Sequence, residues 1–520
     1  MGSARPAPGH RTAAPAIALT LLLVILSVDL GSLLVAARVI IPFPYNIDYG
    51  EGIVWQQMLN MVAGHGYAPI GVFPAIVYHY PPVYHLTVAA LAALSGGDPL
   101  AVGRLVSLMA TLGSCLIVGL IAHRGLLALA RPKTAIAGAA FAALLFPACQ
   151  PVAEWASLMR VDMLATLFSL AGLLLALKAL RDPRLIHVAA LCFVLGVYTK
   201  QVAIAAPAAA VLGLLLTRPA LAWRCLATSV ALGLTALAAL TIVTDGGFLR
   251  HIILYNINRN EAHRLWMLLN PLRAHAIFLI LAAIGARSAL KAIRTFAHAD
   301  ERRATLLILL FFFAFKTLML AMIVKSGGST NYMIEWFAPL AIFAGIGAAP
   351  AMTMALGTPT NIRRTTLATP TVATALLGAA ALQAVPLVHW GISTNAAATR
   401  SIELDRLVAA IRRDPSPVIA DDMTLLIRAG KPVMWEPSIV AELASVGRYD
   451  EPRFVAMIRA HCFGGFVTDG NRGDQVFDSR YNPPVAAAMD AAYPRRFDYA
   501  RLTLHLPPRG AMLRRCGTVD

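Results

Sequence analysis

The chain has 520 residues, 58% of them apolar and only 14% charged, with a mean hydropathy of +0.67 and a formal net charge of +17. A soluble globule carries about 25% charged residues, so this composition excludes one, and it equally excludes disorder, collagen and coiled coil. An integral membrane protein remains.

The charge is unevenly placed. Residues 391–520 hold 15 of the 27 acids and 17 of the 44 bases, which leaves 12 acids and 27 bases in residues 1–390. The excess of base thus belongs to the membrane part, as the positive-inside rule requires. Nucleic-acid binding would need a basic face on a soluble domain, and the tail has none, so no nucleic acid is expected as a partner.

In chain order, the first apolar run, 16–41, follows Arg5 and Arg11. It is too long for a signal-peptide core and reads as a retained anchor with its N-terminus inside. Further spans are expected over 101–123, 134–149, 163–180, 185–199, 202–217, 225–243, 272–290, 304–324, 334–356 and 371–389, giving eleven crossings. Residues 83–96 are apolar but too short to span, and read as a membrane-dipping helix. The clusters Arg124/Arg131/Lys133, Lys178/Arg181/Arg184, Arg218/Arg224, Arg287 to Arg303 and Arg363/Arg364 fall in every second connection. Those connections are expected inside, together with Asp98. The outer side is then 42–82, 150–162, the turn at Lys200, 244–271, 325–333 and everything after 390.

The fold class that follows is an all-α polytopic bundle over residues 1–390 with a soluble extracytoplasmic α/β domain over 391–520. In that tail "PVIADD", "KPVMWEP", "FGGFVTDG" and "YARLTLHLP" read as strands, "SIVAELASVG" and "EPRFVAMIRAH" as helices. Cys115, Cys149, Cys192 and Cys225 lie in apolar segments, where a thiol acts as a small hydrophobe. Cys462 and Cys516 both fall in the tail and could pair if it is extracytoplasmic, although sequence gives no distance.

Acids at membrane depth ask for a reason. They gather on the outer side: Asp48, Glu51, Glu154, Asp162, Asp245 and Glu261, with Glu335 just inside the next span. The first outer loop, 42–82, is the richest stretch. Asp48 and Glu51 are three apart, an amphipathic pattern runs from Glu51 to Val62 and stops at Gly64, and Pro81-Pro82 opens the next segment. The bland reading of that acidic pair is a helix cap with an acid favoured at the helix N-terminus.

The D-x-x-E pair after the first span, the helix ending in glycine and "YHYPPVYH" resemble the first extracytoplasmic loop of the GT-C superfamily, in particular its protein-mannosyltransferase-like and aminoarabinose-transferase-like bacterial branch. "RVDMLATLFSLAGLLLAL", "YTKQVAIAAPAAAVL", "GGFLRHIILYNINRN" and "GGSTNYMIEWFAPLA" agree in order, over residues 14–390. The resemblance implies a polytopic glycosyltransferase of the bacterial inner membrane. It would move a hexosyl or pentosyl group from a polyprenyl-phosphate donor to an extracytoplasmic glycan, lipid or protein acceptor. Asp48 would be the base and Glu51 the second acid of the pair. Asp162, Arg160, Lys200, His251, Asn331, Tyr332 and Glu335 would bind substrate, and His79 would direct a metal or a phosphate. A divalent metal (Mg or Mn) is one way to meet the leaving phosphate; Arg or Lys is another. The competing reading is a transporter or flippase of lipid-linked glycan, which predicts broken helices at the midplane and an inverted repeat.

Overall fold

The computed structural model describes residues 13–256, 259–357, 369–387, 394–514 and 516. The arginines at 5, 11, 363 and 364 and the boundary drawn at 390/391 lie outside them. The membrane part begins with α1 (Ala13–Ile40), α2 (Tyr49–Val62), α3 (Val83–Ser95), α4 (Pro99–Leu127), α5 (Pro132–Ala148) and the short α6 (Gln150–Trp155). It continues with α7 (Asp162–Ala179), α8 (Leu185–Val197), α9 (Ala205–Leu215), α10 (Pro219–Val243) and the single turn α11 (Gly247–Leu249). After α12 (Leu269–Ala274) come α13 (Ala276–Ile293), α14 (Glu301–Met319), α15 (Ile334–Ala355) and α16 (Pro370–Ala384). Eight of these segments are long and apolar enough to cross a membrane, while α3, α5, α8 and α9 are shorter apolar helices.

Ion pairs sort the helix ends into two faces. On one, Glu301 receives Arg181 at 2.8 Å and Arg124 at 3.6 Å, and Arg218 donates to the Ala299 carbonyl at 2.9 Å. The ends of α4, α7, α9 and α14 therefore meet there, on the basic face. The other face carries the tail. Asp98, expected on the basic face, belongs to the tail face: Arg428 of the tail grips its carboxylate at 2.5 and 3.1 Å. The reason is α3. Its first residue donates to the Tyr198 carbonyl beside Lys200, and Gly96, at φ 66°, ends it just before Asp98. Both ends of α3 thus lie on the tail face. Asp98 then caps α4, whose 29 residues run about 44 Å to Leu127 at 1.5 Å per residue.

Helix α15 is the centre of the bundle, with 89% of its apolar window buried. It can be so enclosed because glycines meet there. A Cβ on Gly347 would stand 1.9 Å from the Leu281 carbonyl of α13, and one on Gly285 2.0 Å from the Phe343 carbonyl, the small-residue contact by which membrane helices approach. Gly347→Val is therefore expected to cost at least the roughly 1–3 kcal/mol of an overpacked core and to lower the melting temperature in detergent. Gly378→Val, at an open position with nothing within 4 Å, should leave it unchanged.

The tail starts with α17 (Thr394–Arg413), β1 (Val418–Ala420), α18 (Met423–Ala429), α19 (Pro437–Ser445) and α20 (Glu451–Arg459). It ends with β2 (Gly465–Asp469), α21 (Gln475–Asp478), α22 (Pro483–Ala492), β3 (Arg495–Tyr499) and β4 (Leu502–Leu506). The sheet order is β1-β2-β4-β3, with β1 and β2 parallel and the other pairs antiparallel. "KPVMWEP" is no sheet strand; it docks on the first loop, where Trp435 bridges Ala75. Helices α17, α18, α21 and α22 and edge strand β3 were not anticipated. Cys462 and Cys516 form a disulfide.

The tail is seated on the first loop. Gly52 of α2 lies against α18 so closely that a Cβ there would be 3.1 Å from Met423 Cβ and from the Thr424 nitrogen. Tyr45 donates to Asp405 at 2.5 Å, and Val77 N–H to buried Glu436 at 3.0 Å.

Candidate active site

Helix α2 begins with a complete capping box: Asp48 accepts from Gly50 N–H at 3.0 Å, while Glu51 reaches back to the Asp48 amide. The two acids nevertheless have different fates. Glu51 is fully buried. Its Oε1 accepts from Arg104 Nε and from Met159 N–H, each at 2.8 Å. Its Oε2 accepts from Arg104 Nη2 and Ile47 N–H, also at 2.8 Å. Glu51, expected as the second acid of the site, is thus surrounded by protein donors. Arg104 spends its remaining donors on the carbonyls of Ile40, Phe43 and Tyr45, so the pair rivets the loop to α4 under Asp48.

Asp48 stays open, its side chain 31% exposed. Both its hydrogen bonds use Oδ1, from Gly50 N–H and from Arg160 Nη1 at 2.9 Å. Gly50 makes this possible: a Cβ there would stand 1.2 Å from Arg160 Nη1. Arg160 next turns Nε toward Asp162 Oδ2, 3.9 Å away. Asp162 Oδ1 accepts from Lys200 Nζ at 2.6 Å and from Asn331 Nδ2 at 3.0 Å. Lys200 Nζ lies 5.0 Å from the Tyr332 ring centroid. An unbroken line of alternating charge thus runs from Asp48 through Arg160 and Asp162 to Lys200. Burial opposes the Lys200 charge, but Asp162 beside it holds the ammonium above its ordinary pKa.

That line ends in a narrow cleft lined by Asp162, Lys200, Lys316, Asn331, Tyr332 and Glu335, with apolar Val202, Met319 and Ile334 among them. Glu335 is paired with Lys316 at 3.0 Å. Buried polar atoms without a hydrogen-bond partner gather here: Arg160 Nε, Asp162 Oδ2, Asn331 Oδ1 and Glu335 Oε1. Such atoms cost about 1–3 kcal/mol each when unpaired, and a cluster of them marks a place for a polar ligand. Asp162, Arg160, Lys200, Asn331, Tyr332 and Glu335 are therefore brought together.

His251 and His79 are not. His251 is spent on backbone, accepting from Tyr78 N–H at 3.1 Å and contacting the Ala68 carbonyl at 2.8 Å, so it clamps the first loop rather than facing the cleft. Burial lowers its pKa to about 4. His79 has Glu436 3.8 Å away; burial, then His251 and Arg160, lower its pKa to about 4. Burial pushes Glu436 up to about 8 and Asp422 up to about 6.

The residues present do not fit a divalent metal. Among the described residues no three of His, Cys, Asp and Glu converge, and Asp48 and Asp162 each already hold a cationic side chain. Arg160 and Lys200 offer the positive charge that was the alternative to Mg or Mn. Arg104 and Lys316 were missed; their signal was a lone cation inside a long apolar run.

No protein-family model matches the chain, and no curated protein does. Among solved structures it is similar to ArnT from Cupriavidus metallidurans bound to undecaprenyl phosphate, with a TM-score of 0.58, 14% identity and coverage of 94% of this chain and 98% of that one. The apo state of ArnT gives a TM-score of 0.55 at 15% identity, covering 93% and 97%. The likeness is one of fold: this chain is a polytopic membrane protein with the ArnT-like GT-C fold.

Proposed function

We propose that the chain is a membrane glycosyltransferase that moves a sugar from a polyprenyl-phosphate donor to a hydroxyl-bearing acceptor on the tail face. The observation that carries this reading is the charged line from Asp48 to Lys200, which ends in a cleft of mixed polar and apolar lining. A prenyl phosphate has the same mixture. The fold shared with ArnT, a protein crystallised with undecaprenyl phosphate, supports it. The positive-inside rule makes the basic face cytoplasmic and the tail extracytoplasmic, in a bacterial inner membrane.

In this mechanism Asp48 Oδ2 takes the acceptor's hydroxyl proton while that oxygen bonds to the anomeric carbon. The bond from that carbon to the phosphate oxygen breaks, and its electron pair leaves on the phosphate. Attack from the face opposite the leaving group follows the logic of inverting sugar transfer. Arg160 Nε, which lacks a partner, and the remaining N–H groups of Lys200 meet the charge on the phosphate. Glu51 and Arg104 act only by positioning Asp48.

The test is to incubate the purified protein with polyprenyl-phosphate-linked sugars and follow release of polyprenyl phosphate. Intact lipid-linked sugar crossing vesicles without bond cleavage would establish the transporter reading instead. Lys200→Ala removes a charge-assisted hydrogen bond of about 1.5–3 kcal/mol, so polyprenyl-phosphate binding should weaken about ten- to a hundredfold, as measured by titration in nanodiscs.

A further inference from the structure

A second cavity, of about 650 Å³, lies on the tail side of the first loop. Ile47 and Tyr49, the residues on either side of Asp48 in the chain, both line it. Its other wall is the tail: Asp421, Asp422 and Asp469 with Arg400, Arg480 and Arg501. Asp421 is fully occupied, by Arg480 at 2.9 Å, Tyr481 at 2.9 Å and Asp469 N–H at 2.8 Å. Asp422 is different. Only 3% of it is exposed, Thr424 satisfies its Oδ1 through N–H at 2.9 Å and hydroxyl at 2.5 Å, and its Oδ2 has no partner. A carboxylate oxygen left so in a cavity wall asks for a hydroxyl or amide donor from a ligand.

We propose that this cavity binds a neutral carbohydrate, which makes the acceptor of the reaction proposed above a glycan hydroxyl; this identification of the acceptor rests on that reading. Carboxylates that accept and guanidiniums that donate, set side by side, suit the vicinal hydroxyls of a sugar, which can do both. Three aspartates face three arginines, so the lining carries no net charge and suits a neutral ligand. The charged lining opposes an acyl chain. The apolar groups, Ile47, Leu404 and Leu502, belong to the core packed behind this wall.

The experiment uses the full chain in nanodiscs, free of sugar-headed detergent, with neutral tetrasaccharides of arabinose, mannose and glucose as probes and saturation-transfer NMR as readout. At least one tetrasaccharide should bind the unmutated chain and weaken tenfold or more in both Asp422→Asn and Arg501→Ala, while polyprenyl-phosphate binding is unchanged in both. Asparagine caps a helix as well as aspartate does, and Arg501 is exposed, so neither change should unfold the tail. No glycan binding by the unmutated chain, binding that persists in either variant, or binding of an unglycosylated peptide in its place would overturn the proposal. Loss of polyprenyl-phosphate binding and release in the unmutated chain would sink the glycosyltransferase reading instead, so the two failures are separable.

Discussion

Asp48→Asn should abolish sugar transfer while the protein stays inserted, folded and able to bind polyprenyl phosphate. Asparagine accepts the Gly50 N–H as aspartate does and ranks with it as a helix cap, so α2 should keep its start. What is lost is the ability of Oδ2 to take a proton. A base in place contributes about a hundredfold to ten-thousandfold, and turnover should fall by that factor at saturating donor. Thermal melting and prenyl-phosphate titration of the variant check the fold and the cleft. A rate within a few-fold of the unmutated enzyme would remove Asp48 from the mechanism.

Glu51→Gln, three residues away, should act through stability. It leaves the Arg104 guanidinium buried beside a neutral amide, and the amide NH2 must face the N–H of either Ile47 or Met159. Breaking a buried pair in this way costs about 3–5 kcal/mol, enough to lower the melting point markedly and to cut the folded yield. Turnover per folded molecule, measured at low temperature, should stay within about tenfold. A variant that melts normally yet has no turnover would instead make Glu51 a catalytic group.

The difference between these two acids shows how far sequence carried. The D-x-x-E spacing identified both a cap and a candidate site, and the structure contains both, but spacing is blind to what waits under the helix. Arg104 decides that Glu51 is consumed, and Arg104 comes 53 residues later in the chain. Asp162, Arg160, Lys200 and Asn331 were legible singly, as polar groups at the ends of apolar runs. Their joining into one line depends on how α7, α8 and α15 pack, which no local pattern records. Hydrophobic runs located the spans well because the bilayer imposes one length on them. Asp98 was nevertheless expected on the basic face, although a helix too short to cross dips and returns and so leaves Asp98, just past its end, on the tail face. In the tail, β3 escaped notice because it is an edge strand whose residues are mostly exposed, so it lacks the alternation that marks a half-buried strand.

The seam at Gly52 bears on how this scaffold can be re-engineered. Because α18 rests on α2 so closely that a methyl group at Gly52 would push it by a few tenths of an ångström, the tail is no interchangeable cap. Grafting one from a different scaffold would shift the very turn that aims Asp48. A chimera should therefore exchange residues 42–82 and the tail together, as a single cassette, if the remaining helices are to meet a working partner.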